Sequence, residues 1–167
     1  MKAASILVLA LSCLVLAPPL FAEKSLSAND LQPAVLVAPT GFGDFTLLAT
    51  ADKGVTIEAV SEARSAADGE VFNLRIKLNG GGSATFRALK FTIAGPATLT
   101  IYLNSSSKTD ARVLKVTDAS GTTVAELAAP IDDGRVAGMV TLKLEKPGDY
   151  LVFSASGGIN LYAVVLK

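Results

Sequence analysis

The 167-residue chain has no histidine and no tryptophan, and its one cysteine, Cys13, lies within the first apolar run. The missing histidine removes the usual general base, the usual zinc ligand and any Ser-His-Asp arrangement together. Hydrolytic enzymes are disfavoured on that ground. The missing tryptophan removes the broadest aromatic ring available for stacking. Basic and acidic residues number 15 each, with no long run of either sign, which argues against a nucleic-acid footprint. No apolar run reaches the roughly 20 residues that a transmembrane helix needs.

What is present begins with a targeting segment. Lys2 precedes an apolar stretch over 6–16, then Pro18-Pro19 and Phe21-Ala22-Glu23, the layout of a signal peptide helix cleaved after Ala22. The expected location is secreted or periplasmic. Cleavage would remove Cys13 and leave a mature chain with neither thiol nor disulfide. Lipid attachment at Cys13 is the alternative, but Ala10-Leu11-Ser12 suits it poorly and the apolar residues 14–22 would stay in the mature protein. Residues 23–44 carry breaks at Leu31-Gln32-Pro33 and Ala38-Pro39-Thr40-Gly41. They read as a linker or partly packed lead-in with an edge strand at 35–37. Residues 45–167 read as one domain.

Within that domain ten apolar runs, at 45–50, 55–60, 71–78, 86–93, 97–103, 113–117, 124–127, 140–144, 150–154 and 159–166, are punctuated by glycine and small polar residues. Turn-forming stretches such as Ala51-Asp52-Lys53-Gly54, Gly95-Pro96 and Asp118-Ala119-Ser120-Gly121 separate them. The spacing predicts an all-β protein, an antiparallel β-sandwich of jelly-roll-like form. Alternation sets Phe72, Leu74, Ile76 and Leu78 on one face and Asn73, Arg75 and Lys77 on the other. The next two runs alternate likewise, so each strand is expected to keep one wet face. The chain closes in what reads as an antiparallel hairpin, 150–153 and 159–166 around a Ser/Gly cluster. Asn79-Gly80-Gly81-Gly82-Ser83 lacks the ending of a phosphate loop and reads as a second, looser hairpin connection. The alanine-rich residues 60–67 read as one helical turn or a loop.

Asp132 and Asp133 form the one adjacent carboxylate pair, in an Asp-Asp-Gly turn. With Asp110 and Asp118 they offer oxygen ligands for a structural calcium, although no Asp-x-Asp-x-Asp-Gly spacing is present. No other cofactor is expected. The wet faces are more informative: Arg75, Lys77 and Lys90 sit on strands expected to be neighbours, and Tyr102, Lys115, Asn160 and Tyr162 are expected to point outward. Cations with occasional rings suit an anionic sugar polymer. The plainer reading is that strand lysines protect sheet edges. Arg87 and Arg112 are expected at strand starts near the rim, bonding carbonyls, a neighbour such as Asp110, or ligand.

Six stretches carry a resemblance: Phe45 to Lys53, Phe72-Asn73-Leu74-Arg75-Ile76-Lys77-Leu78, Arg87-Ala88-Leu89-Lys90-Phe91, Ser105-Ser106-Ser107 leading to Arg112, Asp118-Ala119-Ser120-Gly121, and Ser156-Gly157-Gly158-Ile159-Asn160-Leu161-Tyr162. In order and spacing they resemble the non-catalytic β-sandwich modules appended to secreted bacterial pectate lyases and pectinesterases. The resemblance implies a carbohydrate-binding module, not an enzyme, that contacts acidic plant cell-wall polysaccharide such as pectin or homogalacturonan and serves beside a separate pectin-degrading enzyme. Arg75, Lys77, Lys90, Arg112 and Lys115 would meet carboxylates, while Tyr102, Asn160 and Tyr162 would meet the sugar. The chain departs from the pattern in lacking the repeats of a catalytic β-helix. It then reads as a free-standing binding protein or as a descendant that no longer binds sugar. Two further readings stay open, a structural or protein-interaction sandwich of an exported protein, and a small polysaccharide lyase using arginine or lysine as base.

Overall fold

The computed structural model describes residues 22–167, and the expected signal peptide helix lies outside the described residues except for Ala22. Thirteen strands build two antiparallel sheets: β1 (Lys24–Ser27), β2 (Ala34–Leu36), β3 (Thr40–Phe42), β4 (Phe45–Leu48), β5 (Val55–Ser65), β6 (Val71–Leu78), β7 (Ala88–Ile93), β8 (Ala97–Ser105), β9 (Arg112–Asp118), β10 (Thr123–Ala129), β11 (Gly138–Leu144), β12 (Gly148–Ser154) and β13 (Ile159–Leu166). The first sheet runs β11-β8-β13-β6-β5-β2, with β1 also paired to β13, and the second runs β10-β9-β12-β7-β4-β3. Each of the ten apolar runs is a strand, and the architecture is all-β.

The core fills the space between the sheets. Phe45, Leu47, Leu89, Phe91, Leu114, Val116, Tyr150 and Val152 face Ile76, Leu78, Leu99, Ile101, Leu103, Leu161 and Val164 across it. Phe91 stacks on Tyr150 at 5.9 Å. Each such large side chain contributes about 1.5–3 kcal/mol of burial free energy.

Pairing departs from expectation in three places. The closing strands are not a hairpin, since β12 lies in the second sheet and β13 in the first, and residues 155–158 cross the rim between them. Two alternating runs around a glycine cluster look the same in sequence whether the turn joins neighbours or bridges layers. The Gly80–Gly82 connection likewise crosses, from β6 to β7, so Lys90 lies on the opposite sheet from Arg75 and Lys77. Finally, residues 60–65 are strand rather than helical turn, the far half of β5, with the register against β6 broken between Ala59 and Arg64.

The lead-in is more integrated than a linker. It supplies β1, β2 and β3, and it buries Leu26 and Ala28 in the main core. Its strands are three or four residues long, too short for alternation to show. Between β1 and β2 a single 3₁₀ turn begins at Ser27 and carries Asn29. The Asn29 amide donates to the Val71 carbonyl and its oxygen accepts from the Asn73 and Leu74 N–H groups, pinning the start of β6.

Candidate functional site

The outer face of the first sheet carries a second layer. Leu74, Ile76 and Leu78 join the main core, but Phe72 packs instead with Tyr102, Tyr162, Ala66, Ala137 and Ala163 on the outside. Phe72 lies 5.5 Å from Tyr162, stacked, and 5.2 Å from Tyr102. A bulge in β13 between Leu161 and Ala163 accompanies this, adding one residue at Tyr162 so that Tyr162 and Ala163 share the outer cluster.

The far half of β5 and the residues around Asp132 lie over half of this face. Arg64, 4% exposed, donates through Nε to Asp132 Oδ1 at 2.8 Å and through a terminal nitrogen to Oδ2 at 3.1 Å. A second terminal nitrogen bonds the Glu62 carbonyl. The Asp132 hydrogen bond, acting against burial, raises the guanidinium pKa further. Asn160 donates to Asp132 at 3.5 Å, and Asn104 donates to the Ile131 carbonyl. Tyr162 and Asn160 are thus fully buried, not outward sugar contacts on a wet face. Burial pushes the Tyr162 phenol up to about 12, helped by the charge of Asp132.

The other half of the face stays open as a groove of about 510 Å³. Its floor is a ladder of cross-strand neighbours, mostly small. One row runs Met139, Tyr102, Ala163, Ser27 and the next runs Thr141, Thr100, Val165, Ser25, each residue opposite its neighbour on the adjoining strand. Ser25 and Ser27 on β1 and Ala163 on β13 leave the room, and the hydroxyls of β8 and β1 flank the apolar pair on β13. The β5–β6 turn puts Asp68 and Glu70 at one end, and Glu23 and Lys167, paired at 3.1 Å, also line the groove. Tyr102 donates to Asp68 at 2.5 Å. That bond, with burial, pushes the Tyr102 phenol up to about 12, and against burial it draws the Asp68 carboxyl below its ordinary range.

The expected basic face does not assemble. Arg75 and Lys77 lie on β6 and both meet Glu58, Arg75 at 2.6 Å and Lys77 at 3.5 Å. Burial would raise the Glu58 carboxyl, but these two cations hold it below its ordinary value. Lys90 and Lys115 lie on the second sheet, paired with Asp149 at 2.6 Å and Glu126 at 3.4 Å. Each is a cross-strand or diagonal pair of the kind that stabilises a sheet surface. Arg112 starts β9 on the second sheet and packs over Gly157, where an added Cβ would stand 2.7 Å from its Nε. Arg87 precedes β7 with a φ of 49° and donates to the Gly54 carbonyl at 3.4 Å, the rim role expected of it.

Asp132 is likewise not a solvated turn residue, because Arg64 occupies its oxygens. Asp118 accepts from the Ser120 and Thr122 N–H groups, and Asp110 from the hydroxyls of Ser107 and Thr109. Among the described residues no group of three or more His, Cys, Asp or Glu side chains is placed to hold a metal ion. Of the floor, sequence reasoning named Tyr102 and missed Asp68, Glu70, Met139 and the remaining residues of the two rows. Their common signal was the alternating Thr98, Thr100, Tyr102 and Ser25, Ser27, legible only once β1 is known to adjoin β13.

No family model and no curated protein matches the chain. Solved structures do, at low identity. The C-terminal family 6 carbohydrate-binding module of a marine laminarinase from Zobellia galactanivorans matches at 15% identity over 66% of this chain and 90% of its own, with a TM-score of 0.36. A family 35 carbohydrate-binding module from Clostridium thermocellum matches at 13% over 87% and 97%, with a TM-score of 0.46. A carbohydrate-binding module of Cellvibrio mixtus lichenase, in complex with cellotriose, matches at 12% over 86% and 95%, with a TM-score of 0.45.

Proposed function

We propose that the chain is an exported, non-catalytic glycan-binding module that holds its ligand in the groove on the outer face of the first sheet. The observation that carries this is the floor itself. Hydroxyls from Thr100 on β8 and from Ser25 and Ser27 on β1 flank the apolar Ala163 and Val165 of β13, with Met139 and Thr141 beyond on β11, so polar and apolar strips lie side by side as the hydroxyls and apolar faces of a sugar chain require. The resemblance to pectinase-associated modules supports the sugar but points to homogalacturonan. The groove chemistry favours a chain without carboxylates, because Glu23, Asp68 and Glu70 line it while Arg75, Lys77, Lys90 and Lys115 are neutralised by acidic partners on two opposite sheets.

Affinity electrophoresis in gels containing neutral β-glucan, galactan, partly de-N-acetylated chitin or homogalacturonan tests this reading. Retardation by a non-anionic polymer, lost in Met139→Asp, is the expected result. Retardation by homogalacturonan alone would overturn the groove assignment, and unretarded migration in every gel would overturn sugar binding. The rival interaction module rests on Val35, 68% exposed, and its neighbour Val37 beside the edge strand β2. It predicts no retardation and a protein partner.

A further inference from the structure

The groove is bordered by the β5–β6 turn, Ala66 to Glu70, whose two carboxylates have no cation partner among the described residues. Asp68 is held by the Tyr102 hydroxyl at 2.5 Å and by the Glu70 N–H at 3.3 Å, both neutral donors. Among the described residues neither Asp68 nor Glu70 enters an ion pair, whereas Glu58, Glu126 and Asp149 each do. Among the described residues the one cation lining the groove, Lys167, is already taken by Glu23. Two negative charges, that of Asp68 fixed by its hydrogen bonds, therefore border a floor of hydroxyls and apolar groups with no cation paired to them among the described residues. Tyr102, 8% exposed and paired to Ala163 and Met139 in the ladder, fixes Asp68 in place.

Resting on the glycan-binding reading above, we propose that the preferred occupant of this groove is a glycan bearing free amino groups, a glucosamine-rich chain whose ammonium groups meet Asp68 and Glu70. A neutral chain would satisfy the floor and leave the two carboxylates to water. An anionic chain would be repelled by them. An N-acetylated chain would present an amide, which offers one weak donor and no charge. Asp68 is drawn below the ordinary carboxylate range by the Tyr102 bond, so it stays ionised in mildly acidic solution, where sugar amines are protonated.

Calorimetric titration at about pH 5.5, where carboxylates are ionised, with glucosamine hexamer, its N-acetylated form, cellohexaose and hexalysine distinguishes the outcomes. The expected result is about 3- to 10-fold tighter binding of the glucosamine hexamer than of cellohexaose, a modest margin set by two exposed charge pairs. That margin falls as salt is raised, because exposed charges are screened. Glu70→Gln narrows it, and Asp68→Asn narrows it further. Unchanged thermal midpoints show that both variants fold. Equal affinity for the two hexamers would overturn the amino-sugar preference and leave glycan binding standing. Hexalysine binding as tightly as glucosamine hexamer would reduce the site to bare charge attraction and overturn the preference too. Absence of any hexasaccharide binding would overturn both readings together.

Discussion

Asp132 shows how one residue can read as catalytic, metal-binding or merely solvated and be none of these. Its two oxygens hold the Arg64 guanidinium beneath the surface, with side-chain exposures of 9% and 5%. Breaking such a buried pair from one side strands a charge and costs about 3–5 kcal/mol. Asp132→Ala is therefore expected to lose about that much in urea unfolding, while replacing both partners by apolar residues costs far less. The sequence showed an acidic pair and an arginine 68 positions away with nothing to join them. Tyr162 and Asn160 were legible as residues on the outer face of their sheet, and this is where they lie. Their burial was not legible, because the cover comes from segments distant in sequence.

At the scale of elements, alternation named the strands and could not name their neighbours. A period of two reports which face of a strand is apolar, and the sandwich interior looks the same from either sheet. The glycines say more about closeness than about pairing. Gly138 opens β11 opposite Leu103, and an added Cβ would stand 2.8 Å from the Leu103 carbonyl oxygen and against the Pro130 ring. Gly138→Ala is expected to destabilise the fold by about 1–3 kcal/mol, the usual cost of overpacking, as a fall in thermal midpoint. Asn29→Ala removes three hydrogen bonds to β6 at an exposed position where water can replace them, so it is expected to cost only about 1 kcal/mol. Faster amide exchange at Asn73 and Leu74 would register it.

The whole molecule has stability limits at both ends of the pH scale. Asp68, Asp118 and Asp149 sit below the ordinary carboxylate value through bonds to Tyr102, Ser120 and Lys90 respectively. A depressed folded value stabilises above the unfolded value and is lost as pH falls through the folded one, so urea midpoints should fall below about pH 4. Tyr102 and Tyr162 are raised from the ordinary 10.0 to about 12, which stabilises below the unfolded value and is lost as pH rises between the two. Alkaline unfolding is expected in that window, with phenolate absorbance rising late. Tyr102→Phe and Tyr162→Phe should each remove one late-titrating phenol.

The pairing of β1 with the last half of β13 places Lys24 opposite Leu166. A short linker could therefore join residues 23 and 167 without disturbing a strand, and new ends could be opened at the exposed Ala119-Ser120 turn on the second sheet. Such a circular permutant would keep every ladder contact of the groove floor while reversing the order in which β1 and β13 leave the ribosome. Its folding rate, set against the parent's, would report whether the first sheet must wait for its final strand.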